Sequence, residues 1–231
     1  MYEKLFKRLL DFVLSFMALI VLSPILLLLI IIGAVTMKGN PFFVQLRPGK
    51  KGKDGVERCF MLLKLRTMDN RRDKNGELLP DEVRLNSYGK FLRSTSLDEL
   101  PELINILKGD MAIVGPRPQL VRDMVFMTEA QRRRHSVRPG LTGLAQVNGR
   151  NNVTWEQKFE YDLQYIDSHL TFLGDIKIIF ETVGKVLKRS DTVREGTASD
   201  MDFGDWLMQE GKVDQATYDE KQKEAKAILR G

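Results

Sequence analysis

The chain has 231 residues, 43% of them hydrophobic, with 36 lysines and arginines against 31 aspartates and glutamates for a net charge of +5. That length carries one moderate core plus a membrane segment, and its single cysteine, Cys59, excludes an internal disulfide framework and fits a reducing compartment. The basic balance is compatible with a nucleic acid, an anionic membrane surface or a phosphate-rich substrate, and the placement of the charges decides among them.

Residues 12–37 carry no charge and are mostly Leu, Ile, Val and Phe. A spanning helix needs roughly 20 apolar residues, and a cleavable signal peptide has a shorter apolar region of about 7 to 15, so the run reads as a retained membrane segment. Ser23-Pro24 stands near its centre. Pro24 has no N–H and its ring clashes with the Ile20 carbonyl, which breaks or kinks a helix, while the Ser23 hydroxyl can satisfy a carbonyl one turn earlier. Lys4, Lys7 and Arg8 precede the run and Lys38, Arg47, Lys50, Lys51 and Lys53 follow it, so the positive-inside rule places both ends in the cytoplasm. Two half-helices of about 11 to 13 residues reach about 17 to 20 Å, enough to enter a hydrocarbon core roughly 30 Å thick and return. The expectation over residues 1–38 is a re-entrant helical hairpin bent at Ser23-Pro24, with a kinked bitopic helix as the alternative. Asp11 lies within a turn of Lys7 and Arg8, which permits a local ion pair; Arg8 beside a lipid headgroup phosphate is a second reading.

Residues 41–47 and 58–68 read as two strands joined by a polar turn, Pro48-Gly49 to Asp54-Gly55, giving a small β-hairpin. Arg47, Lys64 and Arg66 then sit on neighbouring strands near the membrane exit, as phosphate-binding cations or as edge-strand charge that blunts aggregation. Residues 69–81 read as a loop. Leu85, Tyr88, Phe91 and Leu92 mark a short amphipathic helix that delivers Arg93 beside an acidic pair, Asp98-Glu99.

A carboxylate can attack phosphorus or hold a divalent cation, and Arg117, fixed between Pro116 and Pro118, presents a rigid fork for phosphate oxygens. Leu100, Leu103, Ile104 and Leu107 recur at helical spacing, so the pair heads a helix with Pro101 in its first turn and Gly109 at its end. A capping box from Ser96 to Glu99 is the structural alternative. Residues 119–134 read as one amphipathic helix whose last residues, Arg132, Arg133 and Arg134, complement its C-terminus or anionic lipid. In residues 137–151, Gly140, Gly143 and Gly149 let the backbone approach a ligand, with Arg138, Gln146, Asn148 and Arg150 as polar readers. Trp155, Phe159, Leu163 and Ile166 mark one helix, and Phe172, Ile176, Ile179, Phe180, Val183 and Leu187 another, with core-facing stripes or, as the alternative for one of them, a face in the membrane interface. Asp162 and Tyr165 border the site, and His135 and His169 lack metal-ligand spacing. Residues 191–202 form a linker by composition, and residues 203–231 suggest two short helices around Glu210-Gly211-Lys212.

Ser96-Leu97-Asp98-Glu99-Leu100-Pro101, Asn105, Leu107, Gly109-Asp110-Met111, Val114-Gly115-Pro116-Arg117-Pro118, Val137-Arg138-Pro139-Gly140 and Gln146-Val147-Asn148-Gly149-Arg150 follow one another in this chain. Their series resembles the bacterial sugar transferase family, the small monotopic phosphoglycosyl transferases of the PglC type. Arg47-Pro48-Gly49 and Lys64-Leu65-Arg66-Thr67-Met68 resemble further signatures, and the likeness runs over residues 1–190. Leu144 departs from the tryptophan that many members carry there. The resemblance implies an α+β, mainly helical fold: the re-entrant membrane hairpin, a small β-hairpin and a membrane-associated helical catalytic domain over residues 39–190. The tail faintly resembles SHOCT modules.

The resemblance also implies the chemistry: transfer of a sugar 1-phosphate from a UDP-sugar to polyprenyl phosphate with release of UMP, initiating polysaccharide or glycoconjugate assembly. It assigns catalysis and Mg2+ binding to Asp98 and Glu99, with Asp98 as a covalent nucleophile. Substrate contacts fall to Arg47, Lys64, Arg66, Arg93, Arg117, Pro118, Arg138, Gln146 and Arg150. The implied location is the cytoplasmic face of the bacterial inner membrane, in contact with the phospholipid bilayer; a homo-oligomer is left open. The alternative is a non-catalytic membrane-attached scaffold. A nucleic-acid partner is disfavoured, because the cations cluster near the apolar run and no basic-aromatic repeat is present.

Overall fold

A computed structural model describes residues 2–149, 153–188 and 201–230. Helix α1 (Lys7–Thr36) is followed by strands β1 (Phe42–Arg47) and β2 (Phe60–Leu65), then the short α2 (Asp81–Arg84), α3 (Ser87–Thr95) and α4 (Glu102–Lys108). Strand β3 (Ala112–Val114), α5 (Val121–Met124), α6 (Glu129–Arg132), β4 (Gly140–Thr142) and α7 (Leu144–Val147) come next. Helices α8 (Trp155–Gln164), α9 (Phe172–Lys188), α10 (Phe203–Gln209) and α11 (Gln215–Arg230) complete the described chain. The fold is mainly helical with two small sheets. The antiparallel hairpin β1–β2 pairs Phe42 with Leu65 and Arg47 with Phe60, as the turn signals lead one to expect, and β3 runs parallel to β4.

Helix α1 is continuous in secondary structure through Pro24, where two half-helices were expected. Ser23 Oγ donates to the Ile20 carbonyl at 2.8 Å, supplying the bond that Pro24 cannot make. Lys7, Asp11, Ser15, Leu29, Gly33 and Met37 are buried at steps that keep them on one stripe of the helix. Most of the remaining circumference is bare apolar surface, including Phe16, Ile20, Val21, Leu27, Leu28, Ile31 and Val35.

Both halves of α1 dock on one body. At its start Lys7 pairs with Asp175 of α9 at 2.6 Å, and the Ile113 N–H donates to Asp11 Oδ1 at 3.1 Å. Arg8 forms no ion pair with Asp11, and its guanidinium lies over the Phe12 ring of its own helix, 5.9 Å from the centroid. It donates to the carbonyls of Ile106 and Leu107 at 2.6 and 2.8 Å, because the last carbonyls of α4 keep acceptor capacity and partial negative charge that attract a cation. In the second half, Tyr88 Oη donates to the Leu29 carbonyl at 2.6 Å, and Leu29 packs with Leu65 and Leu92. A Cβ at Gly33 would sit 3.0 Å from Tyr88 Oη, so the absent side chain lets α3 close against α1.

Two expectations need correcting. Residues 119–134 form no single helix: α5, α6 and a 3-10 turn (Arg133–Ser136) divide the segment, and a capping box between Thr128 and Gln131 starts α6 afresh. In α9 the inward face is Asp175 and Ile178 with part of Ile179, whereas Phe172, Leu173, Phe180 and Val183 are exposed. Asp175 sets that rotation by accepting from Lys7, Tyr2 and Tyr165 at 2.6, 2.6 and 2.7 Å.

The tail helices pack on the main body. Phe203, 2% exposed, lies against Trp155 and Phe159 with ring centroids 5.1 Å from each, and its N–H donates to Asp123 Oδ1 at 2.9 Å. Ala225 of α11 is buried against Val121, Met124 and Val125. Truncating a buried phenylalanine typically costs about 3–5 kcal/mol. Phe203→Ala is expected to lower unfolding stability by that amount in denaturant titration, and a loss under about 1 kcal/mol would mean that the tail contributes little to the core.

Candidate active site

Asp98 and Glu99 lie on a 3-10 turn (Leu97–Glu99) that feeds through Pro101 into α4. Ser96 ends α3 in the left-handed region at φ 56° and makes no side-chain cap bond, so it turns the chain where a capping box was the structural alternative. Asn105 fixes α4 against the hairpin: its Oδ1 accepts from the Leu63 N–H at 3.0 Å and its Nδ2 donates to the Met61 carbonyl at 2.8 Å. That register brings Lys64 of β2 beneath the acidic pair.

Lys64 Nζ lies 2.8 Å from Glu99 Oε1 and 3.1 Å from Glu102 Oε1, and Arg117 Nη2 also donates to Glu99 Oε1. Burial pushes the Glu99 carboxyl up, but Arg117 and Lys64 outweigh it and hold the group well below the usual carboxylate range. The Glu99 charge in turn raises Arg117. Asp98, one residue earlier, is raised to about 6 by burial and by the Glu99 charge. Glu102, 2% exposed, is raised to about 7 by burial, with the Glu99 charge adding to the shift. Adjacent carboxyls are thus shifted in opposite directions, the pattern that separates roles in acid–base and nucleophilic sites.

These groups line a cleft of about 1790 Å³. Of the residues singled out in the sequence, it gathers Arg47, Lys64, Arg66, Arg93, Asp98, Glu99, Arg117, Pro118 and Gln146 along one wall system. Arg93 Nε donates to Thr67 Oγ1 at 3.1 Å, and burial lowers its pKa. Arg47 donates to the Pro118 carbonyl at 3.2 Å and to Gln45 Oε1 at 2.7 Å, so it supports the Pro116-Arg117-Pro118 segment from behind. Its pKa falls to about 10 through burial and the neighbouring Arg117. Neither Nε2 nor Oε1 of Gln146 has a hydrogen-bond partner, although both atoms are buried. Ala18 and Leu22 of α1 border the same cleft, which joins the polar site to the apolar helix.

Arg138 does not join the group. It donates to the Gly109 carbonyl at 2.8 Å, where α4 ends in the left-handed region at φ 97° and leaves that carbonyl open to a cation. Arg150 lies outside the described residues, as does most of the expected linker. Arg134, expected at a helix end or on lipid, is instead buried: it pairs with Asp162 at 2.7 Å and donates to the Arg117 carbonyl at 2.6 Å. Asp162 lines the cleft, so this pair positions Arg117 from the core. Removing one partner of a buried pair costs about 3–5 kcal/mol. Asp162→Ala is expected to lower the unfolding free energy by that amount in denaturant titration, whereas a surface pair would lose under about 1 kcal/mol.

Sequence reasoning passed over Glu102 as well. It falls three residues after Glu99, on the same helical face, and that spacing was the available signal. His135 sits 3.2 Å from Glu57 Oε1, and burial lowers it to about 4.

The bacterial sugar transferase family matches residues 2–189. The chain is 49% identical over 181 residues to the uncharacterized sugar transferase EpsL of Bacillus subtilis, covering 78% of this chain and 87% of that protein. It is 42% identical over 188 residues to the UDP-glucose:undecaprenyl-phosphate glucose-1-phosphate transferase of Klebsiella pneumoniae, covering 78% of this chain and 40% of that one. It is 35% identical over 205 residues to the undecaprenyl-phosphate galactose phosphotransferase of Salmonella typhimurium, covering 81% and 41%. The last two relatives are thus matched over less than half of their length. With the acidic pair and its two cations, Lys64 and the proline-flanked Arg117, assembled in one cleft, the chain belongs to the bacterial sugar transferase family.

Proposed function

We propose that the protein transfers a sugar 1-phosphate from a UDP-sugar to polyprenyl phosphate, releasing UMP, at the cytoplasmic face of the bacterial inner membrane. The observation that carries this reading is the single cleft bordered both by Asp98, Glu99, Lys64 and Arg117 and by Ala18 and Leu22 of α1. A soluble nucleotide and a lipid-borne acceptor both have a route to one pair of carboxylates.

The membrane part rests on α1. Its exposed circumference is apolar, and its two halves dock on the same body through Asp175 and Tyr88. Ends held on one body do not lie on opposite sides of a bilayer, which favours a monotopic, re-entrant path for the segment over a bitopic one.

In the chemistry we infer, an Asp98 carboxylate oxygen attacks the sugar-bearing β-phosphorus of the donor. The bond from that phosphorus to the oxygen bridging the two phosphates breaks, and UMP departs with the electron pair. A polyprenyl phosphate oxygen then attacks the same phosphorus, the Asp98 oxygen–phosphorus bond breaks, and the free carboxylate returns with release of a polyprenyl diphosphosugar. A covalent step separates one displacement between two anions into two individually stabilised ones. Glu99, held by Lys64 and Arg117, keeps Arg117 facing the phosphates, while Arg93 and Arg66 add positive charge along the cleft.

The site suits magnesium, which takes one or two carboxylates plus substrate phosphates. Asp98 and Glu99 supply two carboxylates, and both cations that hold Glu99 meet Oε1 and leave Oε2 outside those bonds. Bound there, the ion would neutralise charge on the pyrophosphate.

The test is UMP release from a panel of UDP-sugars with polyprenyl phosphate and magnesium in detergent or nanodiscs. Release that depends on donor and acceptor together supports transfer. A membrane-bound scaffold without catalysis would bind vesicles and release no UMP.

A further inference from the structure

The family match ends at residue 189, yet the cleft does not. Met201, Asp202 and Asp205, at the head of the C-terminal helical hairpin, line it beside Arg122 and Asp123. The hairpin is built into that position by several independent contacts. Trp155 Nε1 donates to the Met201 carbonyl at 3.1 Å, the Phe203 N–H donates to Asp123 at 2.9 Å, and Asp202 pairs with Arg122 at 2.6 Å. Gly204 lies so close to Phe126 that a Cβ there would fall 2.5 Å from the ring. Tyr218 of α11 donates to Asp205 at 2.5 Å and packs on Phe126.

The cleft therefore has chemically different linings. Lys64, Arg66, Arg93 and Arg117 suit phosphate oxygens. The wall supplied by the hairpin carries carboxylates, which repel phosphates and accept hydrogen bonds from hydroxyl groups. In the same cleft both polar atoms of the Gln146 side-chain amide are buried and have no hydrogen-bond partner, a donor and an acceptor left for a polar ligand group.

Building on the donor assignment above, we propose that the C-terminal hairpin is a wall of the donor site, with Asp202, oriented by Arg122, accepting hydrogen bonds from hydroxyl groups of the bound UDP-sugar and so setting donor choice. The hydroxyls belong to the transferred sugar or to the ribose, and these two sources separate experimentally. Phosphate transfer itself stays with the Asp98 side of the cleft.

The experiment compares the full-length wild type with Asp202→Asn, Asp202→Ala and the conservative Asp202→Glu, each first shown to melt as the wild type does. Steady-state kinetics on several UDP-sugars and inhibition by UMP are then measured. The expected result is a rise in donor KM of at least about tenfold for Asp202→Asn and Asp202→Ala, the size of a hydrogen bond to a charged group, with kcat changed far less and partial recovery in Asp202→Glu. If the hydroxyls are the sugar's, the ranking of donors changes and UMP inhibition does not; if they are the ribose's, all donors and UMP weaken together. Folded variants whose donor KM, ranking and UMP inhibition stay within twofold of wild type overturn the proposal. A wild type that neither binds a UDP-sugar nor releases UMP overturns the underlying reading, and the wall proposal with it.

Discussion

Asp98→Asn is expected to lose UMP release by on the order of 10³-fold or more, with donor affinity changed little, because an amide of the same shape cannot form the phosphoryl bond. Paired measurements of single-turnover UMP release and equilibrium donor binding check both halves. The pH profile supplies a second signature. Asp98 must be ionised to attack, and burial together with Glu99 raises it to about 6, so kcat/KM should climb through an acid limb near that pH and level off above it. Glu99→Gln removes a neighbouring negative charge that raises Asp98, so the limb shifts to lower pH even as the rate falls. A variant at Asp98 that keeps full activity would remove this residue from the nucleophile role.

Arg117→Lys is the second large effect. The lysine keeps one charge and the backbone held by Pro116 and Pro118, but loses the planar fork and the bond to Glu99 as now made. Loss of one preorganised donor to a developing anion typically costs about 10²–10³-fold in rate, and we expect that range in kcat/KM for the sugar nucleotide. Arg117→Ala removes the charge outright. Arg117 lowers Asp98, so its loss lets the Asp98 pKa rise further and moves the acid limb to higher pH, opposite to Glu99→Gln. Limbs that move in the same direction in both variants would contradict the electrostatic arrangement described for the pair.

Much of this site was legible in the residue order, for identifiable reasons. The β1–β2 hairpin announced itself through its Pro-Gly and Asp-Gly turn and its apolar strands, and α3 and α4 through helical spacing that put Arg93 near the end of α3 and the acidic pair between the two helices. Arg117 was conspicuous because two prolines hold it. What escaped depended on distant partners. Strands β3 and β4 have three residues each, too few to show a period, and they pair only because the chain brings Ala112 to Gly140.

Arg8 read as a partner of Asp11 or a lipid phosphate, Arg134 as a helix-end or lipid cation and Arg138 as a substrate contact, yet the fold sends each to a distant carbonyl or carboxylate that needs a positive partner. The α9 stripe misled because both of its faces are apolar in part, and only the tertiary bond from Lys7 to Asp175 selects which one turns inward. Pro24 was a clear signal of an interrupted ladder, but the neighbouring Ser23 hydroxyl carries the helix through it. The sequence left the tail either packed on the main domain or free to mediate association, because its anchors, Trp155, Phe159 and Asp123, lie at least 44 residues upstream of Phe203.

The central claim is that Asp98 briefly carries the phosphorylated sugar, and the most direct measurement is intact-protein mass spectrometry after mixing the enzyme with UDP-sugar and magnesium in the absence of polyprenyl phosphate. The expected result is a protein species heavier by one sugar phosphate, formed together with an equivalent burst of UMP, mapped to Asp98 by proteolysis, absent in Asp98→Asn and discharged on adding acceptor. Unmodified protein throughout, with UMP appearing only when donor and acceptor are both bound, would contradict the claim and indicate direct transfer.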